Sequence, residues 1–393
     1  MCEDGIAVDQ CFEVEIERIL PGGVGLAHAA GKTVFVSLAA PGDMVRVRVE
    51  REQGNVLFAS VVEVVTPSPV RIEPPCPYFG RCGGCDFQQL TYEAQLAAKA
   101  QIISDCLQRI ARLDHVPEIT VQPSPKNWRY RVRATWQIDR EKQAIGYYER
   151  GSRRVCDVAD CAVLMPELQE TLERVRATDW TDLPAELKHL DAVAGENGVS
   201  LSPEFAEFRT NELSLRVGNE VYRYNAESFF QINPALVSEM VEFALDDVRG
   251  KTALDLYCGV GLFTLPLARR FERVMGVEGN PSAVRFAKRN LEQAGLGNVR
   301  VVKAGVAEWI PSSRDADFVL LDPPRAGAES VVIKGILNLH PERISYVSCD
   351  PATLARDLKK LIAGGYEIDA IRGFDLFPQT HHVETVALLR RLS

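Results

Sequence analysis

Cys349 lies in ISYVSCDPATLARD, at the end of an apolar run that reads as a strand and just before a helix opening near Ala352. A cysteine there can act as a nucleophile through its thiolate. The positive end of the helix is expected to face the sulfur and lower the thiol pKa from about 8.5; a buried, inert cysteine is the alternative. Near the end of the chain, GFDLFPQTHHVETVALLRR sets Glu384 at the start of a strand beside His381 and His382. Any of these three could accept a proton, although the paired histidines read better as supporting residues. A second set of thiols, Cys76, Cys82 and Cys85, follows C-x5-C-x2-C with Gly83 and Gly84 between the last two. Three such residues can hold three corners of one site, and the fourth ligand must come from farther along the chain. Thiolate ligation suits an iron-sulfur cluster or tetrahedral zinc. HExxH, GxSxG and P-loop patterns do not occur.

In ALDLYCGVGLFTLPLA an apolar strand ends at Tyr257, turns through Gly259 and Gly261, and opens a helix from about Leu262. Glycines there permit a sharp turn and close approach to a ligand. Thr264 replaces the third glycine of a dinucleotide fingerprint, and Asp255 stands four residues before the first. Glu278, at the end of the next strand VMGVE, can take both ribose hydroxyls of a nucleoside. The loop and its acidic partner resemble the S-adenosylmethionine site of Rossmann-like methyltransferases, where no phosphate needs cradling. Cys258, inside the loop, reads as a small packing residue. In FVLLDPPRAG, Asp322 and two prolines stand where doubly wound sheets bind ligands. Arg325 replaces the aromatic residue of the similar motif in amino-methylating enzymes, which weakens an adenine reading. A cysteine beside a methyl donor suits a target atom that is not itself nucleophilic, such as carbon 5 of a pyrimidine: thiolate addition at carbon 6 makes carbon 5 enolate-like.

The elements that must position these groups follow from patterning. With 393 residues, 46% of them hydrophobic and 25% charged, the chain is expected to form two or three soluble domains. Residues 1–68 carry short alternating runs that predict a small antiparallel barrel, closed off by a proline-rich stretch. Residues 69–90 form the cysteine knot. Residues 91–118 hold one long amphipathic helix from Thr91 to Leu113, and residues 119–224 read as α+β. From 225 to 393 strands and helices alternate, which means a doubly wound α/β sheet. The acidic opening MCEDGIAVDQCFEV has no long apolar stretch, so a cytoplasmic protein without a membrane span is expected. In a reducing compartment the ten cysteines favour metal or catalytic roles over disulfides. Cys2, Cys11 and Cys106 suggest nothing beyond packing. The net charge of −9 argues against a nucleic-acid partner, but residues 126–154 hold nine basic residues against three acidic ones. That run is either an RNA-facing strip or an ordinary solvated face.

SFFQINP, DLYCGVG, LDPPRAG, SCDPATLARD and FPQTHHVE occur in the order seen in the bacterial and archaeal RNA uracil-5-methyltransferases, and the chain is similar to that family over nearly its whole length. The N-terminal barrel resembles a TRAM domain, and the 23S ribosomal RNA branch is the nearest match. The resemblance implies that Cys349 is the nucleophile and Glu384 the proton acceptor. It further implies that Gln231, Tyr257, Gly259, Gly261, Glu278 and Asp322 form the S-adenosylmethionine site, with Asp322 and Gln231 also reaching the uracil. It favours a structural [4Fe-4S] cluster on Cys76, Cys82, Cys85 and Cys161, with Cys156 the runner-up for the fourth ligand. The early helix is implied to pack on the catalytic domain. Two positions depart from the pattern: Leu262 stands where some relatives have Asn, and Gly305 where an acid follows the third strand. The expected substrate is a flipped uridine in a loop of structured RNA, ribosomal or else transfer RNA, bound by a monomer. An amino-group methyltransferase would leave Cys349 dispensable; a non-catalytic RNA-binding module would not bind a donor.

Overall fold

In a computed structural model, residues 7–310 and 316–392 are described, and Cys2 lies outside them. The N-terminal runs form a six-stranded, mostly antiparallel sheet built from Cys11–Glu15, Arg18–Leu20, Val24–Ala29, Lys32–Ser37, Met44–Gln53 and Val56–Thr66. Period-two alternation dictates its faces: Val45, Val47 and Val49 are buried, while Arg46 and Arg48 between them are exposed. Cys11 is exposed on the first strand, so packing does not account for it, whereas Cys106 is buried.

Thr91 caps the helix Tyr92–Cys106, its hydroxyl accepting from Ala94 N. The expected single helix to Leu113 instead widens into a π-turn over Leu107–Ala111 and closes at Arg112 in the left-handed region, φ 62°. Two faces of this element are buried. Ala98 and Ile102 pack with Ile19, Phe87 and Leu90 under the N-terminal sheet. Ile103, Cys106, Leu107 and Ala111 join Ile344, Leu358 and Tyr366 under the large sheet. The helix is thus a wedge between the two, with Arg18 of the first sheet paired to its Asp105.

A five-stranded antiparallel sheet runs in the order Val155–Asp157, Ala144–Tyr148, Arg133–Asp139, His189–Gly195, Gly198–Ser202. Helix Pro166–Ala177 buries Leu168 and Leu172 against its Trp136, Ile138 and Leu190. The hairpin Leu213–Val217 and Glu220–Tyr224 falls within the stretch expected to be central, but its packing is otherwise. Tyr224 stacks on Phe230 with ring centroids 4.7 Å apart, and Leu213 and Tyr222 enter the core of the doubly wound unit.

That unit has an eight-stranded sheet in the order Val299–Lys303, Phe271–Glu278, Gly250–Leu256, Phe318–Leu321, Arg343–Ser348, Glu384–Arg391, Tyr366–Phe374, Val121–Gln122. The first five strands are parallel, and Glu384–Arg391 runs against both neighbours. Near-continuous apolar runs such as FVLL are what a strand buried on both faces requires. Helices Pro234–Leu245 and Pro281–Gln293 cover one face, while Ser330–Leu339 and Pro351–Ala363 cover the other beside the wedge helix. The two-residue edge strand Val121–Gln122, far upstream in sequence, completes the sheet. Among the described residues no helix is long and apolar enough to cross a membrane.

Candidate active site and cysteine knot

Parallel strands deliver their C-terminal residues to one edge, and there Glu278 ends one strand while Tyr257, Asp322 and Cys349 follow the next three across the sheet. Glu384 reaches the same edge by the opposite route, as the first residue of the antiparallel strand. Ser348 pairs with Thr385, so Cys349 and Glu384 sit one step past the end of one ladder. The donor-type loop is held open by backbone geometry: Tyr257, Gly259 and Gly261 all have positive φ, and a Cβ at Gly261 would stand 2.9 Å from Leu265 Cδ1. Glu278 organises the loop, accepting from Gly259 N at 3.0 Å and Asn280 N at 2.6 Å. Cys258 is buried against Gly276, as a packing residue would be. Leu262 is buried, and its carbonyl accepts from Tyr222 OH at 2.9 Å. At Gly305 the Glu308 carboxyl carbon lies 3.5 Å from where a Cβ would stand. Gln231 is buried in the loop leading into helix Pro234–Leu245.

Buried acids crowd this edge. Asp255 is pushed up to about 7 by burial, despite the Thr264 hydroxyl donated to it, and its Oδ1 has no partner. Asp322 also rises to about 7, through burial and then the Glu278 charge. Burial, and after it Asp322, raises Glu384 well above the usual carboxylate range, with Arg325 opposing. Cys349 does not behave as its helix predicts. Burial and then Glu384 push the thiol up to about 12, against the lowering by Arg325. The helix end is already occupied: Asp350 accepts from Ala352 N and Thr353 N, both at 2.9 Å. A capped N-terminus offers the sulfur little, and desolvation beside two carboxylates wins.

Sequence reasoning passed over Arg325, noted only as the residue replacing an aromatic. Its guanidinium lies beside the Cys349 thiol and donates to the His382 ring at 2.7 Å. Its signal is the third position after Asp322 on a strand-end turn. His382 is lowered to about 2 by burial, then by His381 and Arg325, so it is a neutral acceptor and too weak a base for proton abstraction near neutral pH. His381 is held by Asp86, which accepts from its backbone N at 2.7 Å and binds its Nδ1 at 2.5 Å.

The segment carrying these groups is pinned from several directions. Gln379 N donates to Gln95 Oε1 at 2.9 Å, and Tyr130 OH donates to the Pro378 carbonyl at 2.9 Å. Fully buried Lys99 pairs with Asp375 and donates to the Phe377 carbonyl at 3.0 Å. Tyr92 OH donates to the same Asp375 at 2.8 Å.

Cys76, Cys82, Cys85 and Cys161 line one small cavity, together with Tyr147 and Arg131. Cys156 is buried outside the lining of that cavity and takes a hydrogen bond from Arg81 Nε at 3.3 Å. Among the described residues no three His, Cys, Asp or Glu side chains close on a single point, as a bare ion would require. Cys82 and Cys85 are pushed up to about 12 by burial.

The basic run is divided: Lys126, Arg129, Lys142, Arg153 and Arg154 are exposed, while Arg131, Arg133, Arg140 and Arg150 are partly buried. Arg133 donates to the carbonyls of Ser228 and Ala226, both at 2.8 Å, fixing the loop that carries Gln231. Arg129 donates to the Cys161 carbonyl, Arg140 to that of Leu183 and Arg150 to that of Cys85. The partly buried members of the run satisfy backbone acceptors.

A doubly wound sheet that gathers acids and a thiol on the carboxyl edge behind a glycine loop defines a Rossmann-like methyltransferase fold. A family profile described as tRNA (uracil-5-)-methyltransferase matches residues 197–392, hairpin included. Another, described as the TRAM domain of tRNA (uracil(54)-C(5))-methyltransferase, matches residues 12–70. The chain is 35% identical over 427 residues to a 23S rRNA (uracil(1939)-C(5))-methyltransferase of Shewanella amazonensis, covering 97% of this chain and 96% of the relative. An uncharacterized RNA methyltransferase of Aquifex aeolicus is 33% identical over 422 residues, covering 97% and 99%. The crystal structure of the Pyrococcus abyssi tRNA (uracil-54, C5)-methyltransferase in complex with S-adenosyl-L-homocysteine superposes with a TM-score of 0.74 at 28% identity, covering 96% of this chain and all of that one. The chain therefore belongs to the RNA uracil-5-methyltransferase family, and it is an RNA methyltransferase.

Proposed function

We propose that this enzyme transfers a methyl group from S-adenosylmethionine to carbon 5 of a uridine in 23S ribosomal RNA, working as a monomer in the cytoplasm. The observation that carries the reading is the meeting of Cys349, Glu384, Asp322 and Arg325 at the glycine-loop edge. S-adenosylmethionine supplies an electrophilic methyl and a positive sulfonium, and a cation offsets the repulsion among Asp255, Glu278, Asp322 and Glu384. Gly259 and Gly261 let the backbone approach the donor, Glu278 takes the ribose, and Tyr257 and Gln231 wall the pocket.

Cys349 Sγ, ionised with the help of Arg325, bonds to carbon 6 of the flipped uracil. The displaced π electrons would form the bond from carbon 5 to the donor methyl as the sulfonium's methyl–sulfur bond breaks, its electron pair leaving with S-adenosylhomocysteine. Glu384 then removes the carbon-5 proton, and the electrons of that C–H bond re-form the double bond and expel the thiolate. The family relatives named for ribosomal RNA favour that substrate, and the structural neighbour named for transfer RNA keeps that polymer as the alternative. The N-terminal sheet is the intended holder of the RNA.

Four thiols that line one cavity without closing on a single point favour a [4Fe-4S] cluster on Cys76, Cys82, Cys85 and Cys161 over zinc, whose sulfurs would converge at about 2.3 Å from the metal. The unpartnered Tyr147 OH and Arg131 Nε facing this space fit an anionic group. Its place is structural: Asp86 follows Cys85 and holds His381.

The test is a pair of variants. Cys349→Ala should still bind S-adenosylmethionine and methylate nothing, whereas Glu384→Gln should accumulate a covalent RNA adduct at Cys349. Full activity in Cys349→Ala would overturn the mechanism. Mapping 5-methyluridine in RNA from cells with and without the gene identifies the polymer.

A further inference from the structure

Arg131 carries a positive charge into the cysteine cavity. Its backbone is fixed there, the N–H donating to Val163 at 2.9 Å and the carbonyl accepting from Met165 N at 3.0 Å. Three other cations of the run have carboxylate partners, Arg129 with Asp160, Lys142 with Asp139 and Arg154 with Glu149, and the guanidinium groups of Arg133, Arg140 and Arg150 donate to backbone carbonyls. Arg131 has none among the described residues. Its Nε is buried without a hydrogen-bond partner, and the ionisable groups facing it include Tyr130, Tyr147, Cys85, Cys161 and the ring of His382, none of them a carboxylate.

A guanidinium cannot shed its proton, and a buried cation without a counter-charge is strongly destabilising. Phenols do not ionise near neutral pH, so neither tyrosine supplies the missing charge. Four thiolates around a doubly positive metal core would leave a net double negative charge, whether that core is a [4Fe-4S] cube or a zinc ion. We propose that Arg131 is the buried counter-ion of a dianionic tetrathiolate metal group held by Cys76, Cys82, Cys85 and Cys161. This rests on reading those four cysteines as ligands. Each partner then stabilises the other: the metal group neutralises Arg131, and Arg131 retains the metal group.

The experiment uses full-length protein reconstituted anaerobically with ferrous iron and sulfide, or with zinc, and the same protein stripped by a chelator. Wild type, Arg131→Met and Arg131→Lys are compared for metal loss to the chelator and for thermal unfolding. Loaded Arg131→Met should lose metal about tenfold faster or more, the range typical of groups that support metal ligands. Loaded Arg131→Lys, which keeps the charge, should stay nearer wild type. Stripped Arg131→Met should unfold at a higher temperature than stripped wild type, because an uncompensated buried charge has been removed. Equal destabilisation of Arg131→Met in both forms, or metal loss at the wild-type rate, would overturn the counter-ion role and leave the ligand assignment intact. Wild type that takes up neither metal at one site per chain would instead overturn the ligand assignment, and this inference with it.

Discussion

In the free protein Cys349 should be a slow thiol. Burial and the Glu384 charge move it from near 9 to about 12. At pH 8 that lowers the thiolate fraction by about a thousandfold relative to an ordinary cysteine. A more basic thiolate is also a better nucleophile, and over three units a Brønsted slope near 0.45 returns roughly twentyfold. The net expectation is reaction about fiftyfold slower than a free cysteine with an uncharged pyridyl disulfide, followed by mass spectrometry of the Cys349 peptide, since exposed Cys11 reacts first. The logarithm of the rate should climb with pH past 10 without levelling. Saturation with S-adenosylmethionine should raise the rate above that with S-adenosylhomocysteine, which has nearly the same shape without the sulfonium charge. A midpoint near 8.5, or identical rates with the two ligands, would refute the argument that crowded carboxylates hold the proton on sulfur until a cation arrives.

Asp255→Asn should stabilise the free protein while weakening donor binding. A carboxyl raised to about 7 is penalised when ionised, so the variant's advantage should be fullest above pH 7, up to about 4 kcal/mol, and shrink as pH falls toward 4 in thermal melts. Cys161→Ala should lose iron and sulfide on anaerobic purification, whereas Cys156→Ala should keep them; the reverse, read by metal analysis, would reassign the fourth ligand. Lys99→Met should cost about 3–5 kcal/mol in urea unfolding because it strands Asp375, and a loss below 1 kcal/mol would mean that the pair is replaceable.

Strand periodicity and the glycine loop made the doubly wound sheet legible, and with it the strand-end addresses of Tyr257, Glu278, Asp322 and Cys349. Those addresses follow from local pattern plus one rule about carboxyl edges. What depends on distant partners was not legible. Asp350 capping its own helix takes up the help expected for Cys349, burial and Glu384 then reverse the effect, and nothing in SCDPATLARD says which carboxylates will face the sulfur. Arg133 and Arg140 read as part of a charged strip because a sequence does not display the carbonyls they meet. Val121–Gln122 is too short to carry a period, and the hairpin Leu213–Tyr224 looks the same whichever unit its tyrosines join. The segment at Asp86 showed only its thiols, while its grip on His381 spans 295 positions of chain.

The wedge helix carries a consequence for synthesis on the ribosome. Tyr92 and Lys99 wait for Asp375, 283 and 276 positions downstream. The edge strand Val121–Gln122 waits for Tyr366–Phe374. At about 5–20 residues per second, the emerging chain holds that helix with its inner apolar face unsatisfied for tens of seconds. The N-terminal sheet can close at once, since all its pairings are internal. The catalytic unit cannot, so the nascent polypeptide offers chaperones a long interval and a defined apolar target: Ile103, Cys106 and Leu107.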